Sequence, residues 1–170
     1  MRRVTSVVCL ATALATQALE ARGQAQPEAQ DLSGVVVALA ERESAALVTA
    51  FNERHLKDLT ALFTPDADFA FLQGSSIEKL DFALIRGRKQ IVGNFETFFS
   101  VYPNSRLKYT VLYARLIRPD VLISDSEFEI SGLPSDAGPI RGRVVTIRIL
   151  ESGVWKIAAE RNASRTPVAK

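Results

Sequence analysis

Arg161 is the side chain with the clearest potential for chemistry, because it interrupts an apolar pattern. In the last predicted strand, Trp155, Ile157 and Ala159 alternate onto one face, and Arg161 follows in the same phase. The pattern therefore predicts that Arg161 faces the interior and that Glu160 faces outward. An unpaired guanidinium in an apolar interior is costly, so it needs a carboxylate, backbone carbonyls or an anionic ligand.

Three interpretations of Arg161 remain open from the sequence. In the first, it forms a structural ion pair with Glu43, Glu96 or a similar helix residue. In the second, its stem lies along apolar surface and its charge reaches the rim. In the third, it anchors a ligand by binding a carboxylate or an enolate oxygen, and Asn162 contributes to the same polar end.

Few other residues could carry catalysis. His55 is the only histidine and Cys9 the only cysteine, so histidine metal clusters are excluded and a catalytic triad would have to use His55. His55 lies between the first two predicted helices, which is typical of an exposed turn residue. Asp66 and Asp68 resemble a carboxylate pair, but beside Pro65 we expect solvated turn residues. The sequence predicts no metal site and no cofactor.

Residues 1–25 have the three parts of a secretory signal peptide. Arg2 and Arg3 precede an apolar, alanine-rich stretch, and the segment from Gly23 to Ala25 supplies small residues for cleavage. A membrane anchor is the alternative, but the apolar run is shorter than the ~20 residues that span a bilayer. We expect a secreted or periplasmic protein without stable membrane insertion after cleavage.

This leader also accounts for the net charge of the chain. It holds three arginines and one glutamate, a net of +2, and the whole sequence has a formal net charge of +2. The rest of the chain is therefore formally neutral and lacks the basic composition of nucleic-acid-binding proteins. We expect no nucleic-acid partner.

The sequence after the leader predicts helices first and strands afterwards, as in an α+β domain. Ser33 or Asp31 caps a first helix that runs to about Arg54. Pro65 ends a second helix, and Gly87 opens a third. The predicted strands are 66–73, 77–85, 107–117, 121–131, 140–150 and 154–163. The predicted divisions are a signal peptide at 1–25, a linker at 26–33, a domain at 34–165 and a tail at 166–170.

Alternation within the strands predicts which side chains face the core. We expect an apolar inner set and a charged outer set whose signs alternate between strands. Such an outer face suits cross-strand pairs of its acidic residues with Arg148 and Lys156, and it also suits a two-fold contact in a homodimer. The inner set is Leu122, Phe128, Ile130, Val145, Ile147 and Ile149, and the outer set is Asp125, Glu127, Glu129, Arg148, Lys156 and Glu160.

A series of short motifs follows in order along the chain. They are Phe51-Asn52, Leu59 with Leu62-Phe63, Pro65 to Phe69, Arg86-Gly87-Arg88 before Ile91, Arg118 to Val121, and Gly153 to Ala159 with Asn162. Together they resemble the SnoaL-like proteins, in the SgcJ/EcaC-like branch of the nuclear transport factor 2 superfamily. The resemblance implies a cystatin-like cone, in which three N-terminal helices pack on a curved, mostly antiparallel sheet around an apolar cavity, often as a dimer. This fold hosts isomerases, cyclases, dehydratases, binding modules and association domains.

Within this resemblance, ketosteroid isomerases need a tyrosine, a carboxylate base and a second, protonated acid. The matching positions here are Leu47, Phe71 and the neighbourhood of Thr146, where residues 145–148 contain no carboxylate. Isomerase chemistry by that route is therefore not expected. Phe71 also replaces an asparagine, and Arg161 a histidine, that are common in the SgcJ/EcaC-like branch.

The leading functional hypothesis is binding of a small apolar or aromatic molecule in an apolar pocket with a polar end. The alternatives are an isomerase- or cyclase-type enzyme that uses Arg161 as electrophile without an identified base, and a non-catalytic dimerisation domain. The pocket candidates are Leu47, Phe51, Phe69, Phe71, Phe95, Tyr109, Tyr113, Phe128, Trp155, Arg161 and Asn162.

Overall fold

The computed structural model describes residues 33–76, 79–134 and 138–165. The leader, most of the predicted linker and the tail lie outside the described residues, as do Asp31 and the predicted strand start at Ile77. The order of helices and strands agrees with the sequence pattern. The elements are α1 (Ser33–Glu53), α2 (Leu56–Leu62), β1 (Phe63–Ser76), β2 (Lys79–Arg86), α3 (Arg88–Val101), β3 (Arg106–Arg118), β4 (Val121–Ser131), β5 (Ile140–Glu151) and β6 (Val154–Arg165).

The six strands form one sheet in the order β2-β1-β6-β5-β4-β3. All neighbours are antiparallel except β1 and β6, which run parallel. On the sheet, α1 packs mainly against β3 and α3 mainly against β1, and α2 contacts both other helices. The face that carries the helices is called the inner face below. This arrangement confirms the predicted α+β fold, with three helices on a mostly antiparallel sheet.

Helix α1 forms because its apolar residues recur at helical spacing. Ala40, Leu47 and Phe51 are buried along one stripe, and Ser44 is a buried polar residue on the same stripe. The end of α1 is tied to the sheet by Asn52. Its side-chain amide donates to the Leu107 carbonyl (3.0 Å), and its side-chain oxygen accepts from the Leu107 amide (2.8 Å). This reciprocal pair holds α1 beside the start of β3.

The sequence predicts that the second helix includes Phe63, which recurs at helical spacing with Leu59 and Leu62, but helix α2 is shorter. It ends at Leu62, and Phe63 already begins β1, where it pairs with Ile157 of β6. Phe63 is completely buried, so its contacts with the sheet outweigh the helical periodicity. Pro65 lies inside β1 and favours extended backbone in the preceding residue, Thr64. The helix thus ends before Pro65, as predicted, but it ends at Leu62 because the strand already begins at Phe63.

The main core is aromatic. The Phe51 ring contacts the rings of Phe95 and Phe99 at centroid distances of 6.0 and 4.9 Å, and Phe69 contacts Phe95 at 5.8 Å. Edge-to-face contacts of this kind add stabilisation beyond the buried area. A second, smaller cluster consists of Ala40, Ala114 and Leu122, with Trp155 packed against it.

A bulge in β3 changes which of its side chains face inward. Val111 pairs with Ser126 and Tyr113 with Asp125, so Leu112 is the extra residue. Beyond the bulge, Ala114 is buried and Tyr113 is 54% exposed. The prediction that Tyr113 lines an inner pocket is wrong, because the bulge reverses the alternation of the strand.

Candidate functional site

A second bulge, in β6, decides which polar side chains enter the core. Ile157 pairs with Arg148, whereas Ile147 pairs with Ala159, so Ala158 is the extra residue. Because one extra residue reverses the alternation, Glu160 turns to the inner face and Arg161 turns away from it. The predicted orientations of both residues are therefore wrong.

Arg161 lies on the outer face, where its side chain is 49% exposed. It donates to the carboxylate of Asp68 on β1 and to the backbone carbonyl of Glu160 (2.9 Å). Neither Glu43 nor Glu96 is its partner among the ion pairs of the described residues. Asp68 is thus a strand residue in an ion pair, contrary to the solvated turn position predicted for it.

On β5, Arg148 faces inward and is 1% exposed. Its guanidinium donates to the hydroxyl oxygens of Ser124 on β4 (3.2 Å) and Ser44 on α1 (3.3 Å). Burial lowers the pKa of Arg148, while electrostatic interactions with Glu160, Tyr109 and Glu43 act in the opposite direction.

The inward set on β5 is the opposite of the predicted one. Val144, Thr146 and Arg148 are buried, whereas Ile147 and its outward neighbours are partly buried. The sequence pattern failed because the outer face also carries apolar side chains, so alternation alone does not identify the inner face. The acidic residues of β4 consequently pair elsewhere: Asp125 with Arg143 and Glu129 with Arg141.

Glu160 is the second buried charge and has no exposed surface. One carboxylate oxygen accepts a hydrogen bond from the Thr146 hydroxyl (3.1 Å), and the other has no hydrogen-bond partner. Burial raises the pKa of Glu160 to about 7, although the Arg148 charge and the Thr146 hydrogen bond act in the opposite direction. Two residues further along the same face, the side-chain nitrogen of the buried Asn162 also lacks a partner.

No ion pair among the described residues joins Arg148 to Glu160, although their charges interact electrostatically. Burial, followed by the Glu160 charge, raises the pKa of Tyr109 well above its ordinary range, which keeps its hydroxyl protonated. We call these groups the buried polar cluster: Ser44, Tyr109, Ser124, Thr146, Arg148 and Glu160.

A cleft between α1 and β3 leads to this cluster. Its volume is about 380 Å³, within the roughly 300–1,000 Å³ range of small-molecule pockets. Ser44 and Tyr109 belong both to the cleft wall and to the buried polar cluster. The lining residues are Glu41, Ser44, Ala45, Val48, Leu107, Lys108, Tyr109, Thr110 and Val111.

The structure brings most, but not all, of the predicted pocket residues together. Tyr109 alone lines the cleft, and Asn162 is buried on the inner face of β6. Trp155 packs in the second cluster, while Tyr113 and Arg161 are exposed and turn outward. The remaining candidates belong to the main core or pack against it: Leu47, Phe51, Phe69, Phe71, Phe95 and Phe128.

Sequence reasoning missed Arg148, Glu160 and the three hydroxyl side chains around them. One signal was present in β4, where Ser124 and Ser126 lie in phase with the inward-facing Leu122 and Phe128. Two serines on an otherwise apolar face indicate that polar partners lie opposite them. The bulge at Ala158 has no comparable signature in the sequence.

The surroundings of Thr146 differ from those expected. Residues 145–148 contain no carboxylate, but Glu160 of the neighbouring strand accepts a hydrogen bond from Thr146. A carboxyl group therefore lies at the place where the sequence indicated none. Leu47 and Phe71 remain apolar side chains of the core, so the other two positions agree with the sequence analysis.

His55 occupies the turn between α1 and α2, as predicted. Its side chain is 57% exposed and lies 3.3 Å from Glu53 and 3.4 Å from Asp58.

In the part of the chain that the structure describes, there is no cluster of three or more His, Cys, Asp or Glu side chains that could hold a metal ion. Over the same residues, every helix is too short or too polar to cross a bilayer.

The sequence matches no family model, and no curated protein sequence matches it. Solved structures do match. An uncharacterized protein with a cystatin-like fold from Caulobacter vibrioides has 19% identity and a TM-score of 0.60, over 79% of this chain and 92% of that chain. A protein of unknown function from Shewanella oneidensis, similar to nuclear transport factor 2, has 10% identity and a TM-score of 0.56, over 73% and 95%.

A ketosteroid isomerase-like protein from Erwinia carotovora atroseptica matches with 16% identity and a TM-score of 0.52, over 79% of this chain and 97% of that chain. At these identities the likeness concerns the fold alone. The chain therefore has the cystatin-like fold of nuclear transport factor 2-like proteins, as predicted. The SnoaL-like branch stays a prediction.

Proposed function

We propose that this protein binds a small apolar or aromatic molecule in the α1–β3 cleft, with the buried polar cluster as the polar end of the site. The observation that carries this proposal is the pair of fully buried charges, Arg148 and Glu160, which lie on the inner face without an ion pair between them. The cleft, with a volume of about 380 Å³, is the route by which a ligand reaches that cluster.

The energetics support a functional role for this pair. Desolvating a guanidinium and a carboxylate costs several kcal/mol for each ion, and attraction offsets that cost only at close, well hydrogen-bonded geometry. Here Arg148 has two hydroxyl partners and Glu160 has one. Clustered groups with perturbed pKa values beside a cleft are typical of functional sites.

Blocking the cleft tests this proposal. Ala45 is exposed and lines the cleft, so Ala45→Trp should fill it and reduce ligand affinity at least tenfold while leaving the core intact. The native ligand can be sought by native mass spectrometry of protein purified from its host, and its binding measured by thermal shift. Ala46 is also exposed but does not line the cleft, so Ala46→Trp is the matched control. Equal binding by both variants would contradict the proposed site.

A second candidate function is a proton-transferring enzyme of the isomerase or cyclase type. Glu160 favours it, because a carboxyl group with a pKa of about 7 can both donate and accept a proton near neutral pH. The protonated Tyr109 hydroxyl could stabilise a developing oxyanion in the same site. A Glu160→Gln variant that retains binding but loses turnover would favour this function over binding alone.

A homodimer stays a prediction, and fewer charged residues lie on the outer face than the sequence indicated. Arg148 and Glu160 face inward, so neither contributes to the outer face. Outer-face carboxylates of β4 are already paired within the chain, as in Asp125–Arg143 at 2.6 Å. The outer face nevertheless remains the surface that we propose for a homodimer, because Ile123 and Ile147 lie there partly exposed between the charges.

We also propose that the protein is an exported member of the SnoaL-like, SgcJ/EcaC-like branch. The motifs of the sequence support the branch, and the basic, apolar and small-residue parts of residues 1–25 support export. N-terminal sequencing of exported protein is expected to show a start near Gln26. A retained Met1 in a membrane fraction would contradict this prediction.

A further inference from the structure

The hydroxyl of Ser44 connects a buried charge to the cleft. It accepts a hydrogen bond from the Arg148 guanidinium at 3.3 Å, and Ser44 is also part of the cleft wall. Since the oxygen accepts from a cation, the hydroxyl hydrogen is free to point elsewhere and becomes a stronger donor. Ser44 can thus transmit the positive charge of Arg148, which is itself 1% exposed, to a group in the cleft.

Other helix hydroxyls of this chain behave differently. Thr60, Thr97 and Ser100 each donate to the backbone carbonyl four residues earlier, at 2.6, 3.0 and 3.0 Å. Among the hydrogen bonds of the described residues, Ser44 accepts one and donates none. Its residue is 3% exposed, so the donor is buried and unused by the helix.

Tyr109 is a second hydroxyl-bearing residue of the cleft wall. It lines the cleft from β3, and burial together with the Glu160 charge keeps its hydroxyl protonated. A cleft that presents two hydroxyl donors with a guanidinium behind one of them favours an oxygen acceptor that carries negative charge. The lining residues Glu41 and Lys108 carry opposite charges, so together they add no net charge to the cleft.

We infer that the cleft takes an organic carboxylate with an apolar or aromatic body, and that Ser44 binds the carboxylate while Arg148 supplies the counter-charge through it. This inference rests on the proposed ligand-binding function and names the class of its ligand. Arg148 and Ser44 are positioning and binding groups in this site, respectively. Val48, Leu107 and Val111 provide the apolar wall that would contact the body of the ligand.

Glu160 makes the binding of an anion depend on pH. The charged and titratable groups around it are Arg148 on β5 and Tyr109 on β3, and Glu43 on α1 acts on Arg148. Below pH 7 Glu160 is mostly protonated, so the cluster carries the uncompensated charge of Arg148 and favours an anion. As the pH rises through about 7, Glu160 ionises and weakens the binding of a carboxylate.

Three isosteric probes test this inference on the full chain. Benzoate, benzamide and benzamidine share one shape and differ in charge, and toluene lacks the head group. At pH 6, the affinities measured by ligand-observed NMR should decrease from benzoate to benzamide to benzamidine. Ser44→Ala should lower benzoate affinity about tenfold without changing toluene binding, as expected for the loss of a charge-assisted hydrogen bond. Ser100→Ala, on the exposed side of α3, is the matched control and should bind like the wild type.

The pH dependence of benzoate affinity is a second measurement, and a serine with a purely structural role would not affect it. Benzoate affinity should fall at least threefold from pH 6 to pH 8.5, and Glu160→Gln should abolish that fall. Toluene binding equal to benzoate, or preference for benzamidine, would overturn the carboxylate assignment while leaving cleft binding intact. No binding by any probe, with no effect of Ala45→Trp on a native ligand, would overturn the proposed function as well.

Discussion

Arg148→Ala is expected to lower the free energy of unfolding by about 3 kcal/mol. Two effects combine: the change removes a fully buried side chain, and it leaves Glu160 without its nearest opposite charge. Ser44 and Ser124 also lose the hydrogen bonds that they accept. Denaturant-induced unfolding at pH 7, followed by fluorescence of the single tryptophan, Trp155, measures the difference.

Arg161→Ala is the matched control, because the same substitution then removes an exposed arginine. Arg161 pairs with Asp68 on the outer face with a side chain that is 49% exposed, and exposed ion pairs contribute about 1 kcal/mol or less. The two variants should therefore differ by at least about 2 kcal/mol. If Arg161→Ala proves the more destabilising change, the orientation of β6 described above is wrong.

Glu160→Gln is expected to stabilise the protein above pH 7 by about 3 kcal/mol. Each unit by which the pKa of Glu160 in the folded state exceeds its pKa in the unfolded state corresponds to roughly 1.4 kcal/mol. The folded pKa of Glu160, about 7, lies above its ordinary value of 4.5. The native state therefore binds the proton more tightly than the unfolded state. The stability that this provides is fully present below pH 4.5 and is lost as the pH rises to about 7.

The measurement is the difference in unfolding free energy between Glu160→Gln and wild type at several pH values from 4 to 8. Below pH 4.5 the two proteins should have similar stability, because glutamine resembles the protonated acid. Glu127→Gln provides the control, since Glu127 is exposed on β4. A difference that stays constant across this range would show that Glu160 does not titrate there.

The fold followed from the sequence because its signals are local and repeated. Apolar residues at helical spacing predicted α1 and α3, and runs of β-branched residues with turns between them predicted β3 to β6 with boundaries close to those observed. The end of α2 could not be predicted in the same way. Phe63 fits the helical stripe, but its pairing with β6 is a long-range contact that no local pattern reports.

The site was predicted less well, and for a different reason. Alternation assigns faces correctly only while the pairing stays regular, and single extra residues at Leu112 and Ala158 reverse it. Tyr113 and Arg161 follow those bulges, so both were placed on the wrong face. Tyr109 lies on the inner face, as alternation predicts, because it precedes the bulge in its strand. Asn162 follows the bulge in β6 and faces inward with Glu160, whereas regular alternation would place both outward.

The buried charges were missed because the chemistry of their residue types argues against burial. Arginine and glutamate are almost never fully buried unless paired, so Arg148 and Glu160 were assigned to the outer, charged face. Only the register of β5 against β6 and the hydroxyl groups of Ser44, Ser124 and Thr146 show where they lie. These three hydroxyl groups come from three different elements, α1, β4 and β5, and their convergence is a property of the fold.

Thiol accessibility in the last strand tests the central claim most directly. In a Cys9→Ser background, which has no other cysteine, Arg161→Cys and Asn162→Cys place a thiol at adjacent positions. With a soluble thiol reagent, the cysteine at 161 should react at the rate of an exposed thiol, and the cysteine at 162 at least a hundredfold more slowly. Both should react equally in denaturant. Fast labelling at 162 with protection at 161 would contradict the inward orientation of Glu160 and Asn162, and with it the buried polar cluster.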